Sequence, residues 1–241
     1  MSQGFLKFNC EGFQLGLAPR LGEISKQEIV SLIKDSRNRR AASLAGRGLF
    51  GEGSLPGVGR VFIKQYARGG WFGRLVWRSY LRWGKTRGER EFDFLQRARK
   101  IGVNAPEPLG FAVKGAMFCN AWLMTEYIDS GVTLSEMSVK DEERTSRVLL
   151  ELVRNIAILV RHSIKHIDLH PGNVLIGPKD QVYILDFDKA QLFRGSTTLL
   201  RDYYLRRWRR AVIKHNLPDY LSEIVSLGLR QHEHGERSTY V

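Results

Sequence analysis

Asp168, Asn173 and Asp186 are the residues of this chain best suited to chemistry, and their spacing is specific. They stand in His166-Ile-Asp-Leu-His-Pro-Gly-Asn173 and in Asp186-Phe-Asp188, five and then thirteen residues apart. An aspartate of this kind can accept a proton from a hydroxyl and align it for attack. An asparagine and a second aspartate offer the hard oxygen ligands that magnesium takes. Add a lysine that holds phosphates, and the set is nearly all that phosphoryl transfer from ATP requires, since positioning and charge stabilisation carry that reaction. Asp168 is therefore the candidate base, and Asn173 and Asp186 are the candidate Mg2+ ligands.

The lysine is Lys64. It stands on Arg60-Val-Phe-Ile-Lys-Gln-Tyr66, an alternating, β-branched stretch that reads as a strand and can place the amine on the α- and β-phosphates. Two glutamates compete to be its partner. Thr86-Arg-Gly-Glu89 has the form of a capping box, which gives Glu89 a structural job. Glu91 shares a helical face with Phe94, Leu95 and Ala98 and so points inward, which makes it the expected partner. For the phosphates themselves, Gly46-Arg-Gly48 and Gly51-Glu-Gly53 both allow close approach of backbone amides. Neither completes a full glycine-rich motif; Gly46 and Gly48 are preferred. Glu126, in Met124-Thr-Glu-Tyr-Ile128, ends a strand either as an ordinary terminus or as the place where an adenine would meet backbone amide and carbonyl groups.

These residues need elements to hold them. The patterns predict helices over 70–84 and 86–101, a break at Asn104-Ala-Pro-Glu-Pro108, and strands near 110–113 and 121–127. Asp129-Ser-Gly131 reads as a linker, and the chain beyond it is mainly helical apart from the loop and strands of 166–187. The expected fold is α+β and two-lobed, with an antiparallel-sheet N-lobe over 1–128 and a mainly helical C-lobe over 129–241. The first 40 residues match no pattern and stay unassigned.

Composition narrows the setting. Two cysteines, Cys10 and Cys119, make no disulfide framework. The apolar stretch from Val148 to Val160 is interrupted by Glu151 and Arg154, so it reads as a core helix rather than a membrane span. With no apolar signal core at the N-terminus, a cytoplasmic location is expected. A formal charge of +13 favours an anionic partner. Much of it lies in two segments, Trp71–Lys85 with Arg74, Arg78 and Arg82, and Leu199–Lys214 with Arg201, Arg206, Arg207, Arg209, Arg210 and Lys214. Both interleave arginine with aromatic residues, as suits a bilayer interface; nucleic acid could use the same ingredients but is disfavoured. The alternative is two structural helices with core aromatics and solvated arginines.

The catalytic spacing resembles that of the protein-kinase-like superfamily. Ile167 stands where many regulated kinases carry an arginine, so switching by loop phosphorylation is not expected. Asp188 stands where a glycine is usual. His166 is expected to brace the loop, and His170 either to pack it or to touch substrate. More narrowly, Phe62-Ile-Lys-Gln-Tyr-Ala-Arg-Gly-Gly70, Arg87-Gly-Glu-Arg-Glu-Phe92, Gly102-Val-Asn-Ala-Pro-Glu-Pro108, Asp186-Phe-Asp-Lys189 and the basic 199–210 segment resemble the lipopolysaccharide kinases. Among these, the chain looks most like the 3-deoxy-D-manno-octulosonic acid (Kdo) kinases, over residues 44–212. The resemblance implies an ATP- and Mg2+-dependent enzyme that phosphorylates a Kdo hydroxyl on an anionic lipid A precursor. It also implies a peripheral position on the cytoplasmic face of the bacterial inner membrane. Competing classes are a small-molecule kinase, an atypical Rio-type protein kinase, and a non-catalytic kinase-like binding protein. Intact Lys64, Asp168, Asn173 and Asp186 argue against the last.

Overall fold

A computed structural model describes residues 4–36, 49–66, 80–81, 84–115 and 118–237. The chain divides into two compact units, 1–96 with 106–127, and 97–105 with 128–241.

The first unit is an antiparallel sheet. Its strands are β1 (Leu6–Cys10), β2 (Phe13–Leu17), β3 (Leu49–Leu55), β4 (Gly59–Tyr66), β5 (Tyr80–Leu81), β6 (Pro108–Lys114) and β7 (Phe118–Glu126). They run in the order β1-β2-β6-β7-β4-β3, with β5 on β7. Helix α1 (Lys26–Asp35) lays Ile29, Val30 and Ile33 into a core with Val61, Ile63, Leu15 and Trp122. The unassigned N-terminus thus supplies a hairpin and this helix. On β4 the two-residue period buries Val61 and Ile63 in that core, which sends Lys64 and Tyr66 to the other side. There α2 (Arg87–Lys100) carries Phe92, which packs edge-on to Phe5 and Phe111 with ring centroids 5.8 and 5.4 Å away.

Two sequence expectations change in this unit. Gly51 and Gly53 lie inside β3, paired with Ile63 and Val61. A Cβ on Gly53 would sit 2.2 Å from Leu32 Cδ1, and one on Gly51 2.6 Å from Ser36 Cβ. Their small size lets α1 close on the sheet. The helix expected over 70–84 fails at its far end, where Tyr80 and Leu81 pair with Cys119 and Phe118, because an open strand edge offers backbone partners that outweigh local propensity. Gly46, Gly48, Arg74, Arg78 and Arg82 lie outside the described residues.

The second unit is mainly helical: α3 (Leu134–Ser138), α4 (Glu142–Arg161), α5 (Thr197–Lys214) and α6 (Tyr220–Arg237). On α4, Val148, Leu149, Leu152, Val153, Ile156 and Leu159 form one buried stripe. Asp141, Thr133 and Ser196 cap the starts of α4, α3 and α5 by accepting backbone N–H groups. Trp208 donates Nε1–H to Leu221 O at 3.0 Å and ties α5 to α6. Segment 97–105 belongs here and not to the first unit as expected. Asn104 gives its N–H to Asn155 Oδ1 at 2.9 Å and its amide to Glu151 Oε1 at 2.6 Å, while its carbonyl takes the Ile184 N–H.

The remaining strands are short: β8 (Val132–Thr133), β9 (Ile164–Lys165), β10 (Val174–Ile176), β11 (Val182–Ile184) and β12 (Gln191–Leu192). Pairing of β9 with β12 and of β10 with β11 holds loops 166–173 and 185–190 side by side at both ends. Chemistry-bearing residues 168, 173 and 186 all fall on these two loops.

Candidate active site

In the first unit, Lys64 Nζ donates to Glu91 Oε2 at 2.9 Å, with side chains 15% and 3% exposed. The Tyr66 hydroxyl donates to the same oxygen. Lys64 and Tyr66 share a strand face, and the α2 start comes close enough to reach them because residue 88 is glycine: a Cβ there would stand 2.7 Å from Trp122 O. Glu89 instead completes the capping box with Thr86, each N–H facing the other's side-chain oxygen at 3.3 Å. A carboxylate this deep needs a paired cation, so the geometry holds Lys64 with its amine fixed. Tyr66 is a site residue that sequence reasoning missed, although its two-residue offset from Lys64 was a legible signal. Glu126 ends its strand braced against Glu107. Its carboxylate accepts the Glu107 N–H at 2.7 Å and its own N–H bonds Glu107 O at 2.9 Å. A strand end must satisfy its backbone, and this bracing fits the ordinary strand terminus that the sequence left open beside an adenine contact.

In the second unit, His166 is buried and donates Nε2–H to Leu185 O at 2.8 Å, bridging the two loops. Its ring stands edge-on to Phe187 at 4.7 Å. Burial pushes its pKa down, so it is the neutral Nε2–H tautomer that braces the loop. Asn173 donates its amide N–H to Asp168 O at 2.9 Å, while Leu185 N–H bonds Asn173 O at 2.9 Å. His170 Nδ1 accepts the Gly172 N–H at 3.1 Å, so it packs the turn that carries Asn173. Asp186 has φ 62, a left-handed backbone that a non-glycine residue adopts at a cost of order 1–3 kcal/mol and that concentrates at functional sites.

Asp168 has a partner that no local signal announced. Arg207, 39 residues away on α5, donates Nη2–H to Asp168 Oδ1 and Nε–H to Ile167 O at 3.3 Å. Burial raises the Asp168 pKa, but the guanidinium bonded to it outweighs this and holds the carboxyl below its ordinary value. Tyr203 donates its hydroxyl to Ile167 O at 3.0 Å. Tyr204 accepts the His166 N–H and donates to Ile164 O, both at 2.8 Å. Tyr204 and Trp208 of α5 are therefore core, 1% and 2% exposed, as the structural alternative for this segment has it and not at headgroup depth. Arg207 too is drawn from a lipid surface to the catalytic loop.

The donor set fits magnesium. Using its N–H on the Asp168 carbonyl, the Asn173 amide keeps its oxygen for another ligand, and Asp186 adds a carboxylate; magnesium is usually held by one or two such groups plus phosphates. Among the described residues no cluster of three His, Cys, Asp or Glu side chains would favour another metal site.

An antiparallel-sheet unit carrying a buried Lys–Glu pair and a helical unit carrying these two loops define a protein-kinase-like phosphotransferase that acts on an alcohol group. Residues 36–219 match the model of the lipopolysaccharide kinase (Kdo/WaaP) family. The chain belongs to that family. It is similar to the 3-deoxy-D-manno-octulosonic acid kinase of Vibrio vulnificus (strain YJ016), with 32% identity over 194 residues covering 75% of this chain and 80% of that protein. The 3-deoxy-D-manno-octulosonic acid kinase of Vibrio cholerae is 30% identical over 171 residues, 69% of this chain and 68% of its own. A more distant likeness, 28% over 125 residues, is to mitogen-activated protein kinase 7 of Arabidopsis thaliana, covering 51% of this chain and 34% of that kinase.

Proposed function

We propose that this lipopolysaccharide kinase transfers the γ-phosphate of ATP to a Kdo hydroxyl on a lipid A precursor, at the cytoplasmic face of the inner membrane. The observation that carries the reading is the held catalytic loop: Asp168, Asn173 and Asp186 on two cross-linked segments, in a chain similar to Kdo kinases over most of its length. Lys64, held by Glu91, grips the nucleotide phosphates. Asn173 and Asp186 hold Mg2+, which supplies charge neutralisation on the phosphates. Asp168 orients the acceptor hydroxyl and takes its proton.

Docking on anionic lipid is supported by one face of α5. Arg206, Arg209, Arg210 and Lys214 are exposed there with Leu199 and Ile213, which are 57% and 64% exposed. No described helix is long and apolar enough to cross a membrane. The test is incubation of the purified protein with ATP, Mg2+ and a panel of acceptors, with products read by mass. Kdo-lipid A should gain one phosphate and lose that gain with chelator. Phosphate on aminoglycosides, choline or protein instead would replace this reading with the small-molecule or protein-kinase alternative.

A further inference from the structure

We propose that Arg207 is a positioning residue for phosphoryl transfer, holding the catalytic carboxylate and the peptide beside it from helix α5. The proposal rests on the reading of Asp168 as the group that faces the acceptor hydroxyl. One planar guanidinium engages two neighbouring groups, Asp168 Oδ1 through Nη2 and the Ile167 carbonyl through Nε. Such a fork fixes direction as well as distance, which a lysine ammonium does not. Tyr203 lies one helical turn earlier and adds a second donor to the same Ile167 carbonyl.

The anchor is firm because α5 is itself held. Tyr204 bonds both Ile164 O and His166 N, and Trp208 is buried with its indole N–H on Leu221 O. The bonds at Ile164, His166, Ile167 and Asp168 all come from one helix face, so α5 sets where the loop stands. With Oδ1 taken by Arg207, Oδ2 is the oxygen left to receive the hydroxyl proton. Ile167 itself, where an arginine would reach outward in many kinases, contributes only its carbonyl. The positioning charge comes instead from within the helical unit and is always present, so the loop is held without a modification to switch it on.

The experiment compares full-length wild type, Arg207→Ala, Arg207→Lys and Tyr203→Phe. It measures kcat, the KM values for ATP and glycolipid acceptor, ADP release without acceptor, and hydrogen exchange of the 164–173 segment. For Arg207→Ala, kcat should fall about ten- to hundredfold, since a displacement near 1 Å can cost about 10²-fold. Both KM values should stay within about twofold in the same variant, because the residue is asked to orient and not to bind substrate. Exchange of 164–173 should accelerate, and added guanidinium ion should restore part of the rate. Arg207→Lys should recover little, lacking the fork, and Tyr203→Phe should show a smaller fall in kcat with the same pattern. A raised acceptor KM at unchanged kcat would overturn the proposal in favour of substrate or lipid docking, and unchanged kcat and exchange would make the contact inert. Should Arg207→Ala fail to fold, the lysine and phenylalanine variants decide. If wild type places no phosphate on Kdo-lipid A, the substrate reading falls alone. Arg207 is then judged by ADP release, with water as the acceptor, and by loop exchange.

Discussion

Replacing Lys64 with methionine should destabilise the sheet unit more than replacing its partner Glu91 with glutamine. The pair is 2.9 Å apart, and its two ends differ in burial: the carboxylate is 3% exposed and the ammonium 15%. Removing one partner of a buried pair costs about 3–5 kcal/mol, because the other charge is left uncompensated. Lys64→Met leaves the deeper charge behind, though Tyr66 still donates to it, so the lower end, about 3 kcal/mol, is expected. Glu91→Gln leaves an ammonium on a flexible stem that can turn to water, and the new amide oxygen still accepts from Tyr66. Its cost is that of one charge-assisted hydrogen bond, about 1.5 kcal/mol. The double variant buries no charge and should be more stable than Lys64→Met alone by about 1 kcal/mol or more, since neutral pairs of similar shape are tolerated. Urea unfolding at pH 7, followed by tryptophan fluorescence, gives the three midpoints relative to wild type. A double variant less stable than Lys64→Met would refute the stranded-carboxylate reasoning.

Asp168→Asn should lower turnover by about two to four orders of magnitude, the usual worth of a positioned base, while ATP binding measured by calorimetry is retained; full activity in the folded variant would remove Asp168 from the mechanism. His166 is neutral when folded because burial lowers its pKa, so the unfolded chain binds the extra proton. Stability should therefore be complete above the ordinary histidine value of about 6.5 and fall below it by up to about 1.4 kcal/mol per pH unit. Burial lowers His170 as well, so His166→Gln, which keeps a donor for Leu185 O, should reduce this acid slope rather than abolish it; an unchanged slope between pH 7 and 5 would contradict the assignment. Charge reversal at Arg206, Arg209 and Arg210 should raise the KM for a lipid-linked acceptor about a hundredfold, from about 1 kcal/mol per basic residue near an anionic surface. A soluble Kdo fragment should be affected much less, and vesicle binding should weaken with salt as the Debye length falls below about 8 Å. Wild-type kinetics on the lipid-linked acceptor, or a preference for double-stranded nucleic acid over vesicles, would end the docking proposal.

What the sequence determined by itself was local. The spacing of Asp168, Asn173 and Asp186 marks the chemistry because one loop, one hairpin and one further loop must carry them in that order. The two-residue period of β4 was enough to put Lys64 on the face away from Val61 and Ile63, and the capping box at Thr86 was enough to set Glu89 aside and leave Glu91. Period and capping act within a few residues, so they are readable without a fold.

Only the tertiary structure decided what depends on distant partners. Gly51 and Gly53 had the look of phosphate-binding glycines until α1, from a terminus with no recognisable pattern, was seen to close against them. The sequence placed Glu126 at a strand end, but that its carboxylate takes the Glu107 N–H is decided by chain 19 residues away. Arginine and aromatic residues alternate along α5 in a way that fits a lipid surface. Packing against α6 and the 164–168 backbone instead turned Tyr204 and Trp208 inward and left Arg206, Arg209 and Arg210 outside. Arg207 went to Asp168 for the same reason. A side chain's helical phase can be counted from the sequence, but what faces it is set by chain that returns from 39 residues away.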